Sequence, residues 1–573
     1  MNPSAHIDAF ARNNLPPRSE WPELVFERPE LQYPARLNCA AELLDRMVAL
    51  GHGDRPALWA PVDGRPVHCT YRQLLARANR IARVLIEDLG LVPGNRVLLR
   101  GPNNPMMAAC WLGIVKAGGI AVATMPLLRA RELTQIAVKA RCSIALCDAR
   151  LLDELEEARP DCPDLKRIVA FNDDHPPAPL PAEGGDGGSL RSQSHTRPAL
   201  GRPGGGAGSL EALLANKPDT FDNVDTAADD VALIAFTSGT TGQPKGTMHF
   251  HRDVLAMCDT FPRSVLKPAP DDIFCGTPPL AFTFGLGGML CFPLRFGAST
   301  VLVERLMPDT LMQTIRDFKA TICFTAPTFW RLMAPLAQKG GIGRLKKCVS
   351  AGEALPDATR QLWKQATGIE IIDGIGATEM IHIFISSPPE EVRRGAIGKV
   401  VPGYRARIVD EDGKPLPPGS VGRLAVQGPT GCRYLADPRQ SQYVRHGWNL
   451  TGDAFSMDAD GYFYYQARTD DMIVSAGYNI AGPEVESALL AHPAVAECGV
   501  VGVPDEERGQ IVKAVVVLRE GHQPGEALAR ELQDFVKRTI APYKYPRAVE
   551  FVDALPRTET GKLQRFRLRK ENK

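Results

Sequence analysis

No run of about 18 uninterrupted apolar residues, the length that crosses a bilayer, occurs in this chain. The nearest approach, 285–303, is broken by Pro293 and Arg295. The first 15 residues lack a basic segment followed by an apolar one and carry Asp8, so they do not read as a signal peptide. No charge sign is in excess: 67 Lys and Arg stand against 66 Asp and Glu. Such a balance makes no broad field for nucleic acid or an anionic membrane, so neither is an expected partner. The 13 Cys form no C-x-x-C pair and show no zinc-ligand spacing with His. They read as buried reduced thiols. These absences leave a soluble cytoplasmic protein that must hold any anionic ligand by local devices. The oligomeric state stays open, a homodimer included.

With 573 residues the chain exceeds one hydrophobic core, so two or more domains are expected. An amphipathic helix is expected after residue 38 and a strand at 56–59. A helix follows at 71–88, a strand at 96–100, an apolar helix at 106–117 and a buried strand at 118–125. This alternation predicts parallel βαβ construction. Residues 180–208 break the rhythm with Pro, Gly and Ser and read as a flexible insert. The rhythm resumes with VALIAF at 231–236. More strands are expected at 299–303, 321–324, 347–349 and 370–373, with helices at 309–318 and 328–338 between them. Residues 395–468 favour β-formers and turns and read as a β-subdomain. Beyond them, helices at 483–491 and 525–539 and strands at 494–503, 512–518 and 548–552 form an α+β unit. The predicted organisation is α/β: a large N-terminal domain, 1–469, of layered sheets with a β-subdomain, and a small mobile C-terminal α+β domain, 470–573.

The string that bears most chemistry is Thr237-Ser238-Gly239-Thr240-Thr241-Gly242-Gln243-Pro244-Lys245-Gly246, directly after the VALIAF strand. Its Gly residues permit a tight turn and close approach to a ligand. Its hydroxyls and backbone N–H groups suit an anion-binding concavity, and Lys245 adds a mobile positive charge. It is not the G-x-x-x-x-G-K-[ST] phosphate loop. The pair His249 and His251 invites a metal reading, because alternate residues on a strand share a face, but no third ligand is evident.

The string resembles the phosphate loop of the acyl-adenylate-forming enzymes, which include acyl-CoA synthetases, adenylation domains and luciferases. Further segments resemble that family in the same order, from about residue 40 to the C-terminus and excluding the insert. Ser350-Ala351-Gly352-Glu353-Ala354 is similar to the adenine-binding turn. Gly374-Ile375-Gly376-Ala377-Thr378-Glu379 is similar to the G-Y-G-x-T-E segment, with Asp373 just before it a candidate cofactor contact, and Thr451-Gly452-Asp453 is similar to the ribose-binding T-G-D. Arg468-x-Asp470-Asp471 is similar to the hinge, and Pro556-Arg557-Thr558-x-Thr560-Gly561-Lys562 to the catalytic-lysine loop. The resemblance implies an ATP-dependent acid–thiol ligase: an acid and ATP give an acyl-adenylate, and coenzyme A displaces AMP. It implies that Thr378 contacts phosphate, Glu379 binds Mg²⁺, Asp453 and Arg468 hold the ribose, and Lys562 bridges the acid and the α-phosphate. A rotation about Asp470 would bring Ala476 and Gly477 to the CoA channel. Taken singly, Glu379 reads equally as a helix cap, Asp453 as a turn residue and Lys562 as a solvated cation. In register with the other motifs they read as ligands.

Most members of that family carry Tyr where this chain has Ile375. Ile cannot stack on adenine, which shifts Ile375 to the wall of the acid pocket. Benzoate-type CoA ligases share the aliphatic choice and the following Met380-Ile381-His382-Ile383-Phe384. The stretch Leu280-Ala281-Phe282-Thr283-Phe284-Gly285-Leu286-Gly287 lies where the family builds its acyl pocket. Phe282 and Phe284 could wall a flat ring, with Gly287 and Gly288 leaving room beside it. Thr283 or His382, as donor or acceptor, could meet a ring substituent. The first residues, and 38–45, resemble 2-aminobenzoate–CoA ligases, so 2-aminobenzoate is the expected acid and benzoate the alternative. An adenylation enzyme serving a carrier protein and a non-catalytic nucleotide-binding regulator are the rivals. No carrier domain is visible, and Lys245, Glu379 and Lys562 argue against the regulator.

Overall fold

The computed structural model describes residues 3–172, 209–237, 244–468, 471–475, 478–505, 508–540, 542–557 and 563–569. The 180–208 insert lies outside them, as do Ser238, Gly239, Thr240, Thr241, Gly242, Asp470, Ala476, Gly477, Lys562 and the side chain of Arg468.

Two large sheets make the N-terminal part. The first has nine strands, in spatial order 399–400, 383–386, 371–376, 347–350, 322–325, 273–276, 299–301, 56–62 and 65–70. Its middle is parallel, and its edges, 65–70 on one side and 383–386 with 399–400 on the other, are antiparallel. The second has six strands, in order 167–171, 144–148, 96–100, 120–124, 231–237 and 245–250. It is parallel except for the last pair. The parallel βαβ reading therefore holds for the sheet interiors and is corrected at their margins.

Local chemistry explains the central elements. Asn104 caps the helix Pro105–Lys116 by accepting the Met107 N–H, and Pro105 occupies the first turn. Residues 106–116 are all buried, as suits a helix apolar all round. Thr70 and Gln73 form a reciprocal capping box at the start of Tyr71–Arg83. Strand Val231–Thr237 is buried along Val231–Ala235, typical of a parallel strand covered on both faces. The largest core cluster runs from Leu37 to Phe463 and joins both sheets.

Residues 405–409, 421–427, 444–445, 448–457 and 463–468 form the five-stranded β-subdomain. Strands 495–505, 509–518 and 548–551 with helices Gly482–Leu490 and Glu526–Thr539 form the C-terminal unit. That unit has its own core, all from residue 473 onward. All 13 Cys are buried and free, and burial pushes the Cys142 and Cys147 thiols up to about 12. Among the described residues no helix is long and apolar enough to cross a membrane.

Candidate active site

The parallel strands of the nine-stranded sheet end at Gly276, Thr325, Ser350 and Gly376, and ligands of open α/β sheets gather at such ends. Thr277 and Thr325 share a hydrogen bond of 2.7 Å there. Ser350 Oγ is buried without a partner among the described residues. Facing them, Thr237 pairs in register with Lys245, so the two stems of the glycine-rich loop are closed against each other. A Cβ at Gly246 would lie 2.9 Å from the Phe236 ring, which explains Gly at that stem. Thr237 Oγ1 is also buried and unpartnered among the described residues. Buried polar atoms are normally satisfied, so these two hydroxyls mark where a polar ligand would sit.

Thr378–Met380 is a single 3₁₀ turn rather than the start of a longer helix. The next residue, Ile381, has φ +67°, a sterically strained state for a β-branched side chain. The kink separates Glu379 from His382. Glu379 reaches Lys245, whose Nζ stands 3.4 Å from Oε1. Tyr434 joins both: its hydroxyl donates to Glu379 Oε1 at 2.5 Å and accepts from Lys245 Nζ at 3.0 Å. Burial and the Glu379 charge push the Tyr434 hydroxyl's pKa well up, so it stays a donor. The second Glu379 oxygen makes no hydrogen bond among the described residues. One hard oxygen beside a cation fits Mg²⁺ carried with a nucleotide, which keeps most of its waters. Among the described residues no cluster of three His, Cys, Asp or Glu could cage a metal. The His249 and His251 pair makes no metal site: His249 Nε2 lies 2.8 Å from the Thr378 carbonyl, and His251 Nδ1 accepts the Cys39 N–H.

Asp453 lies inside strand Trp448–Met457, opposite Arg468 in register. The turn at 460–461 is held instead by Asp458, which accepts from the N–H groups of Asp460 and Tyr462. Gly352 takes φ +90° in the 350–354 turn, and Glu353 there stands 3.9 Å from Arg557. Asp373 is buried with Arg360 at 3.8 Å, and burial raises its pKa to about 7. Gly374 N–H donates to it.

The acyl stretch is latched by Asn103, which donates to Pro278 C=O at 2.9 Å and accepts from Leu280 N–H. Gly285 is required because a Cβ would lie 2.0 Å from Pro279 O. Phe282 and Thr283 line a void of about 10 Å³ with Trp111, Ala123 and Ala235, roughly one water in size. Phe284 turns elsewhere, toward His382 and Phe324 at ring distances of 5.5 and 5.7 Å. The space expected beside Gly287 and Gly288 is filled by the protein itself. A Cβ at 287 would lie 2.4 Å from His382, and one at 288 would lie 2.7 Å from Phe324. His382 is enclosed by Phe261, Phe284 and Phe292, and burial lowers its pKa to about 3. Its Nε2 stands 3.3 Å from Phe284 C=O, and its Nδ1 is buried without a partner among the described residues. Ile375 is half-buried and packs against the main core.

Tyr434, Arg360, Asn103 and His249 join the site without any sequence motif announcing them. Only the alternation of His249 with His251 gave a signal, and it invited a metal reading that lacked a third ligand.

A profile of the AMP-binding enzymes matches residues 46–434, and one of the AMP-binding enzyme C-terminal domain matches 484–562. The chain is 36% identical to the benzoate–CoA ligase of Thauera aromatica, over 94% of this chain and 97% of that one. The structure of an anthranilate CoA ligase in complex with anthranoyl-AMP superposes with a TM-score of 0.83 at 34% identity, covering 95% of this chain and 98% of that one. A benzoate CoA ligase from Burkholderia xenovorans LB400 gives 0.79 at 30%, covering 93% and 100%.

Proposed function

The chain belongs to the AMP-binding enzyme family, in the aryl-CoA ligase branch of the acyl-adenylate-forming enzymes, and is an AMP-forming acid–CoA ligase; from that premise we propose that its preferred acid is 2-aminobenzoate, with benzoate second. The carboxylate attacks the α-phosphate of ATP, pyrophosphate leaves, and the CoA thiol then displaces AMP. Both partners of the first step are anions, so catalysis is positioning and charge neutralisation. In this reading Thr237, the 238–242 loop and Lys245 hold phosphates. Thr378 makes a further phosphate contact, and Glu379 offers its free oxygen to Mg²⁺. The ion, when bound, would neutralise phosphate charge. Ser350, Ala351, Gly352, Glu353, Asp373 and Gly374 surround adenine, Asp453 and Arg468 hold the ribose, and Lys562 bridges the carboxylate and α-phosphate. Freely diffusing acid, ATP and CoA in the cytoplasm complete the proposal.

The observation that carries the choice of acid is His382. A carbonyl only accepts, so a bond to Phe284 C=O puts the proton on Nε2 and leaves Nδ1 an acceptor. A neutral acceptor among aromatic rings favours an aryl acid with a donor on its ring. Thr283, the other polar group expected to meet a ring substituent, lines the separate one-water void with Phe282. Sites that hydrogen-bond a substituent discriminate strongly against its absence. The names of the similar ligases, benzoate and anthranilate among them, support the same class.

The test is pyrophosphate release with 2-aminobenzoate, benzoate, hydroxybenzoates and a long-chain fatty acid, with and without CoA. 2-Aminobenzoate should give the highest kcat/KM, with turnover dependent on CoA. His382→Leu should erase its advantage over benzoate. A preference for the fatty acid, or turnover indifferent to CoA, overturns the proposal.

A further inference from the structure

His249 has no part in the reaction as written, yet it touches the turn that bears Glu379. Its Nε2 lies 2.8 Å from Thr378 C=O, so Nε2 carries the proton. Its Nδ1 faces Asp253 Oδ2 at 3.7 Å. The same Oδ2 accepts the Phe250 N–H at 3.0 Å and the Arg433 guanidinium. All three side chains are fully buried. Burial alone would raise the Asp253 carboxyl, but Arg433 beside it holds it below the usual carboxylate range. Arg433 in turn lies 4.0 Å over the Phe250 ring. Removing such a pair from water is costly, and this pair sits behind one imidazole.

The anchor is well placed. His249 belongs to strand Lys245–Phe250, whose first residue faces Thr237 across the phosphate-loop stems. One rigid strand thus ends at the phosphate loop and, four residues on, grips the Thr378 carbonyl. The gripped turn is strained at Ile381, and strain of this kind persists only where the surroundings impose it. The same carbonyl accepts the Ile381 N–H at 3.1 Å, and Thr430 Oγ1 holds the next part of the turn through Met380 C=O at 2.8 Å.

We propose that His249, packed against the buried Asp253–Arg433 pair, is a positioning residue that sets the Thr378–Glu379 turn against Lys245 for the adenylate-forming step. The proposal rests on the reading of Glu379 as a phosphate-side contact. Two amides separate the roles of the ring nitrogens. The amide of His249→Gln reaches about where Nε2 stands and can donate to Thr378. That of His249→Asn ends near Nδ1 and cannot. Each variant is measured for pyrophosphate release against Mg²⁺ concentration, for thioester formation from pre-made aryl-adenylate plus CoA with a chelator present, and for Tm. His249→Asn should lower kcat/KM for ATP by about 10- to 100-fold, the loss of one buried hydrogen bond at a charged site, and raise the Mg²⁺ needed for half-maximal rate. Its thioester step should stay within about twofold of wild type. His249→Gln should recover most of the first step. Equal adenylation by the two variants overturns the proposal. So does an Asn variant that slows both steps alike, or that fails to fold while Gln folds, because His249 is then merely structural. Glu379→Gln runs as the control. If it leaves the Mg²⁺ dependence unchanged while the Asn and Gln variants still differ, positioning stands and the metal reading of Glu379 falls.

Discussion

Asp373 shows how much one buried carboxyl can report. Its nearest cation, Arg360, is already shared with Glu370 at 3.0 Å and with Ile371 C=O at 2.7 Å. Burial therefore wins over attraction, and the pKa rises from 3.8 to about 7. The folded state then binds a proton that the unfolded chain has released between pH about 4 and 7. This group's contribution is fully present below the unfolded pKa and is lost as pH rises through the folded one. The size is a few kcal/mol at most, at about 1.4 per pKa unit. Asp373→Asn removes the dependence, so the variant's Tm minus that of wild type should be larger at pH 8 than at pH 5. A flat or reversed trend would show that Asp373 is ionised in the fold at pH 5. Asp373 was legible in the sequence because it directly precedes a motif. Arg360 was not, since its approach depends on a helix, Asp357–Thr367, packing beside the strand end. Tyr434 is a similar case: its partners lie 189 and 55 residues away, and no local pattern encodes such a meeting.

Among elements, the sequence showed best those with one dominant signal. Strand Val231–Thr237 and helix Pro105–Lys116 are apolar runs with clear ends, and both stand within two residues of expectation. Strand Lys245–Phe250 was glimpsed only at His249, because its Lys-Gly-Thr start looks like the tail of a polar loop; His251 begins the helix His251–Asp259 and so does not share the strand's face. The stretch 280–287 was expected as pocket wall, with Gly287 and Gly288 leaving space for substrate; it leads into a short helical run from Thr283 to Arg295. That space holds His382, from the bend before strand Ile383–Ser386, and Phe324, from strand Ile322–Thr325, instead. The packing gives a direct prediction. Gly287→Ala places a methyl 2.4 Å from His382 Cδ2, so the imidazole must shift. Overpacking of this kind costs about 1–3 kcal/mol, readable by denaturant unfolding. The ratio of kcat/KM for 2-aminobenzoate over benzoate should fall with it. An unchanged ratio would detach His382 from substrate choice.

At the scale of the whole molecule the change of sequence texture after residue 468 foretold a unit with its own core, and what it could not give is how that unit sits. In the structure Arg331 donates to Val495 C=O at 3.1 Å across the two parts. Arg557 stands 3.9 Å from Glu353 of the 350–354 turn and forms a β-bridge with Leu563. The residues that bracket Lys562 in the chain thus pair with each other, and Arg557 stands beside the 350–354 turn. Half-exposed ion pairs are worth about 0–1 kcal/mol, so such contacts can break and re-form. We propose the boundary at Asp470 and a rotation about it. Adenylation needs Lys562 against the carboxylate and α-phosphate, whereas the CoA thiol needs that side cleared and Ala476-Gly477 beside its path. Hinges absorb backbone change at a few residues, and Pro fixes φ near about −65°, so Asp470→Pro should lock one state. Lys562→Ala should slow pyrophosphate release by about 10²- to 10³-fold, as for one lost electrostatic contact. Supplied with pre-made aryl-adenylate and CoA, the Lys562→Ala enzyme should still form thioester at a near-normal rate. Asp470→Pro should make adenylate from acid and ATP but fail to pass it on. Equal loss of both steps in the Lys562 variant would mean that one fixed arrangement serves both reactions and that the small domain does not turn.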